Sequence, residues 1–353
     1  MAVFDVARSR RIQRSALFVL IFGLLNWGLG RLYVRREIAN GRLGSIERQF
    51  DQVRRQITVL AIGDSHMATG FDPRVWSGAF NFALYGENYV YNYFKLRHIL
   101  DRNPQVKTVL LPLDLHSFSA WRADKELLDS YWVRYANYLE IGWKSRKPFE
   151  YLGKYMRGRL FPYLGEMGAV RVTPRRDRSK RPRQRSEIVQ GFVVKTGTYD
   201  ENREKLAVRR VKLHFFGHRA YDPLVAHYFG RILELCAARG KTLVLIKFPV
   251  SEPYYSLATR RIARERIDSR VEAMIKPYGN VQVFDYQKAF FGRDRELFDD
   301  PDHLNEAGAR ILSLDIMRRL SGLTAAPSSL ISPGCPRIQD AACGGRNQNS
   351  PPS

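Results

Sequence analysis

Three cysteines in 353 residues, Cys236, Cys335 and Cys343, leave no disulfide framework, and their spacing matches no zinc-ligand pattern. Only a bridge between Cys335 and Cys343 remains open, and only in an oxidising compartment. Acid is also scarce: 35 Asp and Glu stand against 58 Lys and Arg, a formal charge of +23. Such an excess suggests an acidic partner, whether anionic lipid, an anionic polysaccharide or nucleic acid. Arginine spread through helices is also what high-GC coding produces, so the charge has a purely compositional reading too. At 44% hydrophobic, the chain can still bury one large core or two modest ones, and its continuous strand pattern favours one.

One uncharged apolar run breaks the polar background. Residues 16–30 follow Arg8, Arg10, Arg11 and Arg14, and Leu32, Tyr33 and Val34 extend the run past Arg31. About twenty helical residues cross a bilayer, so residues 15–34 suffice if Arg31 reaches back to the headgroups. No small-x-small site follows before the charged segment. The run therefore reads as an uncleaved signal anchor, with a cleaved signal peptide or a buried core helix as alternatives. The basic flank places residues 1–14 in the cytoplasm and the rest on the periplasmic or extracytoplasmic side of the inner membrane, against the pull of Arg31, Arg35 and Arg36. Nucleic acid is not an expected partner there. Residues 35–56, with Ile38, Leu43, Ile46 and Phe50 at helical spacing, read as a helical stalk.

The soluble part opens on Ile57-Thr-Val-Leu-Ala-Ile-Gly-Asp-Ser-His-Met67. Six residues rich in β-branched and apolar side chains, ended by Gly63, read as a strand buried on both faces of a parallel sheet. A hydroxyl at the carboxyl end of a first parallel strand lies where open α/β sheets hold their ligands, and Gly63 permits the sharp turn that exposes it. Ser65 is the candidate nucleophile, and His66 beside it reads as structural. A serine needs a base. Phe298-Asp-Asp-Pro-Asp-His-Leu-Asn305 puts His303 three residues after Asp300 in a stretch with turn chemistry, so one loop can present an imidazole and the carboxylate that orients it. Asp302, adjacent to His303, is the poorer orienter. Residues 306–320 follow as a helix with Ala309, Ile311, Leu312, Leu314, Ile316 and Met317 as its apolar positions.

Gly63-Asp64-Ser65-His66 and Asp300-Pro-Asp-His303-Leu-Asn resemble the first and last motif blocks of the SGNH (GDSL-like) hydrolase family, and Leu304-Asn305-Glu306-Ala307-Gly308-Ala309 resembles its helix opening. The resemblance spans about residues 57–320. It implies a flavodoxin-like three-layer α/β/α sandwich with a central parallel sheet, with Ser65, His303 and Asp300 catalytic and Gly63, Asp64 and His66 supporting the motif. In that family two further blocks complete an oxyanion hole. Tyr85-Gly86-Glu87-Asn88, after strand-like residues 79–84, offers Gly86 and Asn88. The other block departs from the pattern: Val109-Leu-Leu-Pro-Leu-Asp114-Leu-His116 has no Asn, leaving Asp114 and His116 as candidates for the oxyanion or substrate, or for loop capping. That departure resembles the membrane-anchored branch that acylates cell-envelope polymers, such as alginate O-acetylation proteins and the protein that D-alanylates teichoic acid. The branch implies a polysaccharide acceptor and a multispanning membrane O-acyltransferase as partner.

Elsewhere residues 89–100, 222–238 and 259–276 read as helices, and residues 107–113, 241–248 and 281–286 as strands. Tyr89, Tyr91, Tyr93 and Phe94 suit helix packing, with stacking on a sugar ring as the alternative. Tyr254 and Tyr255 fall in a loop after the fourth strand. Between about residues 119 and 219 the α/β rhythm stops, with helical stretches at 125–139 and 149–160. Residues 174–186 hold seven basic residues and one acid, a solvated loop or a contact for lipid headgroups or an acidic glycan. This insertion is expected to form a cap that selects the acceptor. His214, His218 and His227 have no carboxylate or cysteine pattern beside them to make a metal site, and no metal or cofactor is expected. The catalytic domain is expected over 57–321 and a disordered tail over 322–353.

Together these features point to acyl transfer, O-acetyl above all, to or from an envelope polysaccharide through an acyl-serine intermediate. Simple esterase or lipase chemistry is the near alternative, and a non-catalytic assembly scaffold a more distant one. Asp64-x-His66 after a strand also opens the metallophosphoesterase pattern, but the Gly-Asp and Gly-Asn-His blocks that pattern needs are missing.

Overall fold

The computed structural model describes residues 2–35, 39, 41–120, 135, 137–145, 148–161, 187–199, 202–215, 219–262 and 264–322. Its centre is a five-stranded sheet built from β1 (Val59–Ala61), β2 (Ala79–Asn81), β3 (Thr108–Pro112), β6 (Thr242–Lys247) and β7 (Val281–Asp285). The order is β2-β1-β3-β6-β7 and every pairing is parallel. Counted along the sheet's own strands this is the 2-1-3-4-5 order of flavodoxin-like folds, with its crevice between the carboxyl ends of β1 and β3. Val59 aligns with Ala79 on one side and Thr108 on the other, so the loops leaving β1, β2 and β3 emerge side by side.

Alternation along each strand builds two apolar layers. Leu60, Val109, Leu111, Leu243 and Leu245 face one core, shared with α2 (Arg42–Val53), α4 (Tyr89–Arg102) and α8 (Pro223–Ala238). Val59, Ala61, Leu110, Val244 and Ile246 face the other, shared with α3 (Ser65–Gly70) and α12 (Glu306–Leu320). The expected α/β three-layer architecture is therefore the observed one. A smaller apolar cluster joins α7 (Arg203–Phe215) and α9 (Glu252–Thr259) to Leu115 and Val250, on the loops that leave β3 and β6.

α1 (Ala2–Tyr33) contains a 22-residue stretch, Ile12–Tyr33, long and apolar enough to cross a membrane, and it is almost bare of protein contacts. α2, expected as a spacer, buries Leu43, Ile46 and Phe50 in the first core, with Phe50 5.1 Å from the rings of both Phe80 and Phe82. Tyr89, Tyr91, Tyr93 and Phe94 are all buried in packing between α4 and its neighbours.

The helix expected over 259–276 is α10 (Arg264–Ile275), which starts five residues later, and a separate helix, α9, ends at Thr259 before it. Tyr254 and Tyr255 lie on α9, not in a loop, because Ser251 precedes a Glu-Pro start suited to a helix N-terminus. α5 (Tyr138–Lys144) and α6 (Pro148–Leu160) account for some of the insertion, followed by a hairpin of β4 (Ile188–Val189) and β5 (Phe192–Val193). Residues 121–134, the basic stretch 174–186, His218, Cys335, Cys343 and the tail from 323 lie outside the described residues. Cys236 is a buried free thiol on α8.

Candidate active site

The turn after β1 requires glycine twice over. Gly63 has φ +146°, and a Cβ there would sit 2.4 Å from Pro112 Cδ. The chain then enters α3 with Asp64 as its N-cap, accepting a hydrogen bond from the His66 amide at 2.9 Å. Ser65 becomes the first helical residue, and its hydroxyl makes no hydrogen bond among the described residues. Asn81, at the end of β2, fixes the far end of this short helix by donating to the carbonyls of Met67 and Phe71 at 2.8 Å each.

The second half of the site is a small antiparallel hairpin, β8 (Phe298–Asp300) and β9 (His303–Leu304), that follows α11 (Asp294–Leu297). Asp300 Oδ1 accepts from the amides of Asp302 at 3.1 Å and His303 at 3.0 Å, closing the turn that the sequence chemistry anticipated. The same carboxylate lies 2.9 Å through each oxygen from His303 Nδ1, which therefore carries the proton. His303 Nε2 is buried and has no hydrogen-bond partner among the described residues. Burial pushes the Asp300 carboxyl up, but His303, through its hydrogen bond and through its charge when it is protonated, and the Arg210 guanidinium outweigh it and hold the group well below the usual carboxylate range. Asn305 caps α12 through the Gly308 amide and anchors the loop to the Glu296 carbonyl.

The two halves meet through His66. Its ring lies 5.3 Å from that of His303 in an edge-to-face contact. Its Nδ1 is 2.9 Å from Asp114 Oδ2 and its Nε2 3.2 Å from Asp302 Oδ2. Burial alone would lower the His66 pKa, but Asp114, Asp302 and Asp64 together raise it well above the ordinary value, which favours the charged ring between the carboxylates. Asp114 uses its other oxygen to accept from the Phe248 amide at 2.8 Å, tying the ends of β1, β3 and β6 together. His116 Nε2 is 3.3 Å from Asp64 Oδ2, and its ring stacks on His214 of α7 at 4.5 Å.

Gly86 turns with φ +82°, and Tyr85 before it holds its ring 6.2 Å from that of His303. Asn88 is the N-cap of α4, its side-chain oxygen accepting from the amides of Val90 and Tyr91 at 3.0 and 3.3 Å. Glu87 between them forms a fully buried ion pair with Lys95, which also donates to the Phe82 carbonyl at 2.6 Å. This pair fixes the loop that carries Gly86.

Of the residues singled out in the sequence, Ser65, His66, Asp300 and His303 gather at one end of the sheet, with Asp64, Asp114 and His116 behind them. Asn88 is engaged at a helix start. Sequence reasoning missed Arg210 on α7, whose Nε lies 2.7 Å from Asp302 Oδ1 and Nη2 2.7 Å from Asp300 Oδ2. It also missed the position of His214, 3.8 Å from Asp302 Oδ2 through Nε2 and 2.7 Å from the Tyr254 hydroxyl through Nδ1. The signal available was the buried stripe Ala207, Val211 and His214 in an otherwise charged helix, which aims α7 at the body.

Among the described residues, two groups bring ligand atoms within 4.8 Å of one another: His66 with Asp302 and His303, and Asp64 with His66 and Asp114. Both share His66, so an ion in either would compete with a proton for the ring nitrogen it binds.

No family model matches the chain. No curated protein matches it either. It is similar to a solved structure from Streptococcus pneumonia, provisionally described as a platelet activating factor, with 13% sequence identity, a TM-score of 0.36, and coverage of 86% of this chain and 99% of that one.

Proposed function

We propose that the protein carries out serine-dependent acyl chemistry on an SGNH-type site. The observation that carries this reading is His303: Asp300 holds its Nδ1, while its buried Nε2 is left without a partner beside the turn that presents Ser65. That is the arrangement a general base needs before substrate arrives. His303 Nε2 takes the Ser65 proton as Oγ attacks an ester or thioester carbonyl, then returns it to the leaving oxygen or sulfur. An acyl-serine remains. An acceptor hydroxyl next attacks it, its proton passing through His303 back to Ser65 as the acyl–oxygen bond breaks.

The Ser65 and Gly86 amides are the donors assigned to the oxyanion. Asp114 is not one of them, since both its oxygens accept. With α1 as a single-pass anchor and the site on the extracytoplasmic side, the preferred reaction is O-acetyl or other short-acyl transfer to an envelope polysaccharide. A multispanning membrane acyltransferase would supply the acyl group. Hydrolysis is the same chemistry with water as acceptor.

A fluorophosphonate probe tests the reading on the full-length protein in detergent. Wild type is expected to label, and Ser65→Ala and His303→Ala are not; an unlabelled wild type would refute the serine mechanism. The grouping of His66, Asp302 and His303 favours one other reading, metal-assisted hydrolysis. Chelator-sensitive phosphatase activity that survives Ser65→Ala would establish that instead.

A further inference from the structure

The helical hairpin α5–α6 presents apolar side chains to its outside. Ile141 and Tyr151 are buried against the body, and Tyr155 is packed there too. On the opposite face Trp143 and Phe149 are 83% and 85% exposed, and Leu139, Leu152, Met156 and Leu160 are between 40% and 49% exposed. Phe149, Leu152, Met156 and Leu160 follow helical spacing, so α6 carries one continuous apolar stripe. Scattered apolar residues are ordinary on a water-facing surface, but a contiguous patch of this kind marks a contact.

What it contacts follows from its neighbour. Asn26, in the middle of the apolar stretch of α1, donates from Nδ2 to the Leu160 carbonyl at 2.7 Å, and Phe22 meets Phe161 at 6.4 Å between ring centroids. Leu160 ends α6, so its carbonyl is among those a helix leaves unpaired, and in a hydrocarbon medium such a group needs a protein donor. Asn26 supplies that donor within residues 16–30, which are otherwise uncharged and almost wholly apolar. Tyr33, where α1 ends, is buried in the body. Counting back at 1.5 Å per residue, Asn26 and Phe22 lie about 10 and about 16 Å along the helix from that end, a substantial share of the ~15 Å half-thickness of the hydrocarbon core.

We propose that α5–α6 is a second membrane element, a hairpin that inserts its apolar stripe into the lipid leaflet next to the body and lies against the anchor. The occupant of the exposed face is lipid acyl chain. This rests on the reading of α1 as a membrane span. The body is then held to the membrane by α1 and by the hairpin together, which sets its orientation, where a lone helix would leave it free to swivel.

The test uses full-length protein in nanodiscs of phosphatidylethanolamine and phosphatidylglycerol, with nitroxide labels on single cysteines. Cys335→Ser and Cys343→Ser clear the background. Cys236 is buried and its thiol pushed up to about 12 by that burial, so it does not compete for label. Leu152→Cys and Met156→Cys are exposed positions whose labels leave the core intact. They are expected to be relaxed severalfold more by oxygen than by a water-soluble nickel complex, as at Leu25→Cys in α1 and unlike Asp51→Cys on the body. Quenching of tryptophan fluorescence by brominated lipid is expected to fall in Trp143→Phe. Labels on α6 that read water while Leu25→Cys reads lipid would overturn the hairpin insertion and leave the anchor standing. If Leu25→Cys also reads water, both readings fall. Labels on α6 shielded from both relaxing agents would overturn it in favour of a protein partner on that face.

Discussion

Arg210→Gln tests whether the loop that carries Asp300 and His303 depends on α7. The guanidinium makes two contacts of 2.7 Å, one with Asp302, whose side chain is 1% exposed, and one with Asp300, whose side chain is 25% exposed. The first is a buried ion pair, whose loss costs about 3–5 kcal/mol where the remaining charge is stranded, and the second, screened by solvent, is worth at most about 1 kcal/mol. Asp302 keeps His66 as a partner, so it is not stranded, and the expected loss is about 2–3 kcal/mol. For a domain of this size that lowers Tm by roughly 5–10 °C. Turnover of a p-nitrophenyl ester should fall about tenfold, the equivalent of about 1.4 kcal/mol in the barrier, with KM little changed. A double-mutant cycle with Asp302→Asn isolates the pair, and a coupling indistinguishable from zero would show that the loop keeps its shape without α7.

Three further outcomes follow from the same geometry. The raised pKa of His66 stabilises the fold fully below its unfolded value near 6.5, and that stability is lost as pH rises through the higher folded value; Tm of wild type should therefore drop towards alkaline pH more steeply than that of His66→Gln, and equal slopes would contradict the assignment. Lys95→Met leaves Glu87 charged and buried, at a cost of about 3–5 kcal/mol in denaturant titration. Adding Glu87→Gln should recover most of that loss, and a neutral single variant would mean that the pair does not hold the Gly86 loop. Gly63→Ala forces a Cβ into Pro112 at a positive φ and should cost more than about 2 kcal/mol and abolish fluorophosphonate labelling; normal labelling would show that the turn has slack.

Much of the architecture is legible in the sequence because it is periodic. Strands at 57–62, 107–113, 241–248 and 281–286 stand out as short apolar runs, and the helix after His303 through its 3.6-residue spacing. The start of α10 at Arg264 instead of Thr259 is not legible, since Thr259 to Ile262 carries no proline or glycine to mark a boundary. The packing role of the stalk is hidden for a related reason: Leu43, Ile46 and Phe50 show that α2 has an apolar face but not what covers it. Asn88 stands out for its place in a short block, and its cap role depends on where α4 begins.

Local chemistry is written along the chain: a serine on a tight glycine turn, a histidine three residues after an aspartate, and one segment apolar enough to cross a bilayer. Which groups share a space is settled only in the folded chain, including the bracketing of His66 by Asp114 and Asp302, the reach of Arg210 to Asp300 and Asp302, and the contact of Asn26 with the end of α6. Periodicity and turn preference act between neighbours in the chain and can be read from it. Ion pairs between residues 48 to 236 positions apart depend on strand order and on which loop ends adjoin, and those are set by burial across the whole sheet.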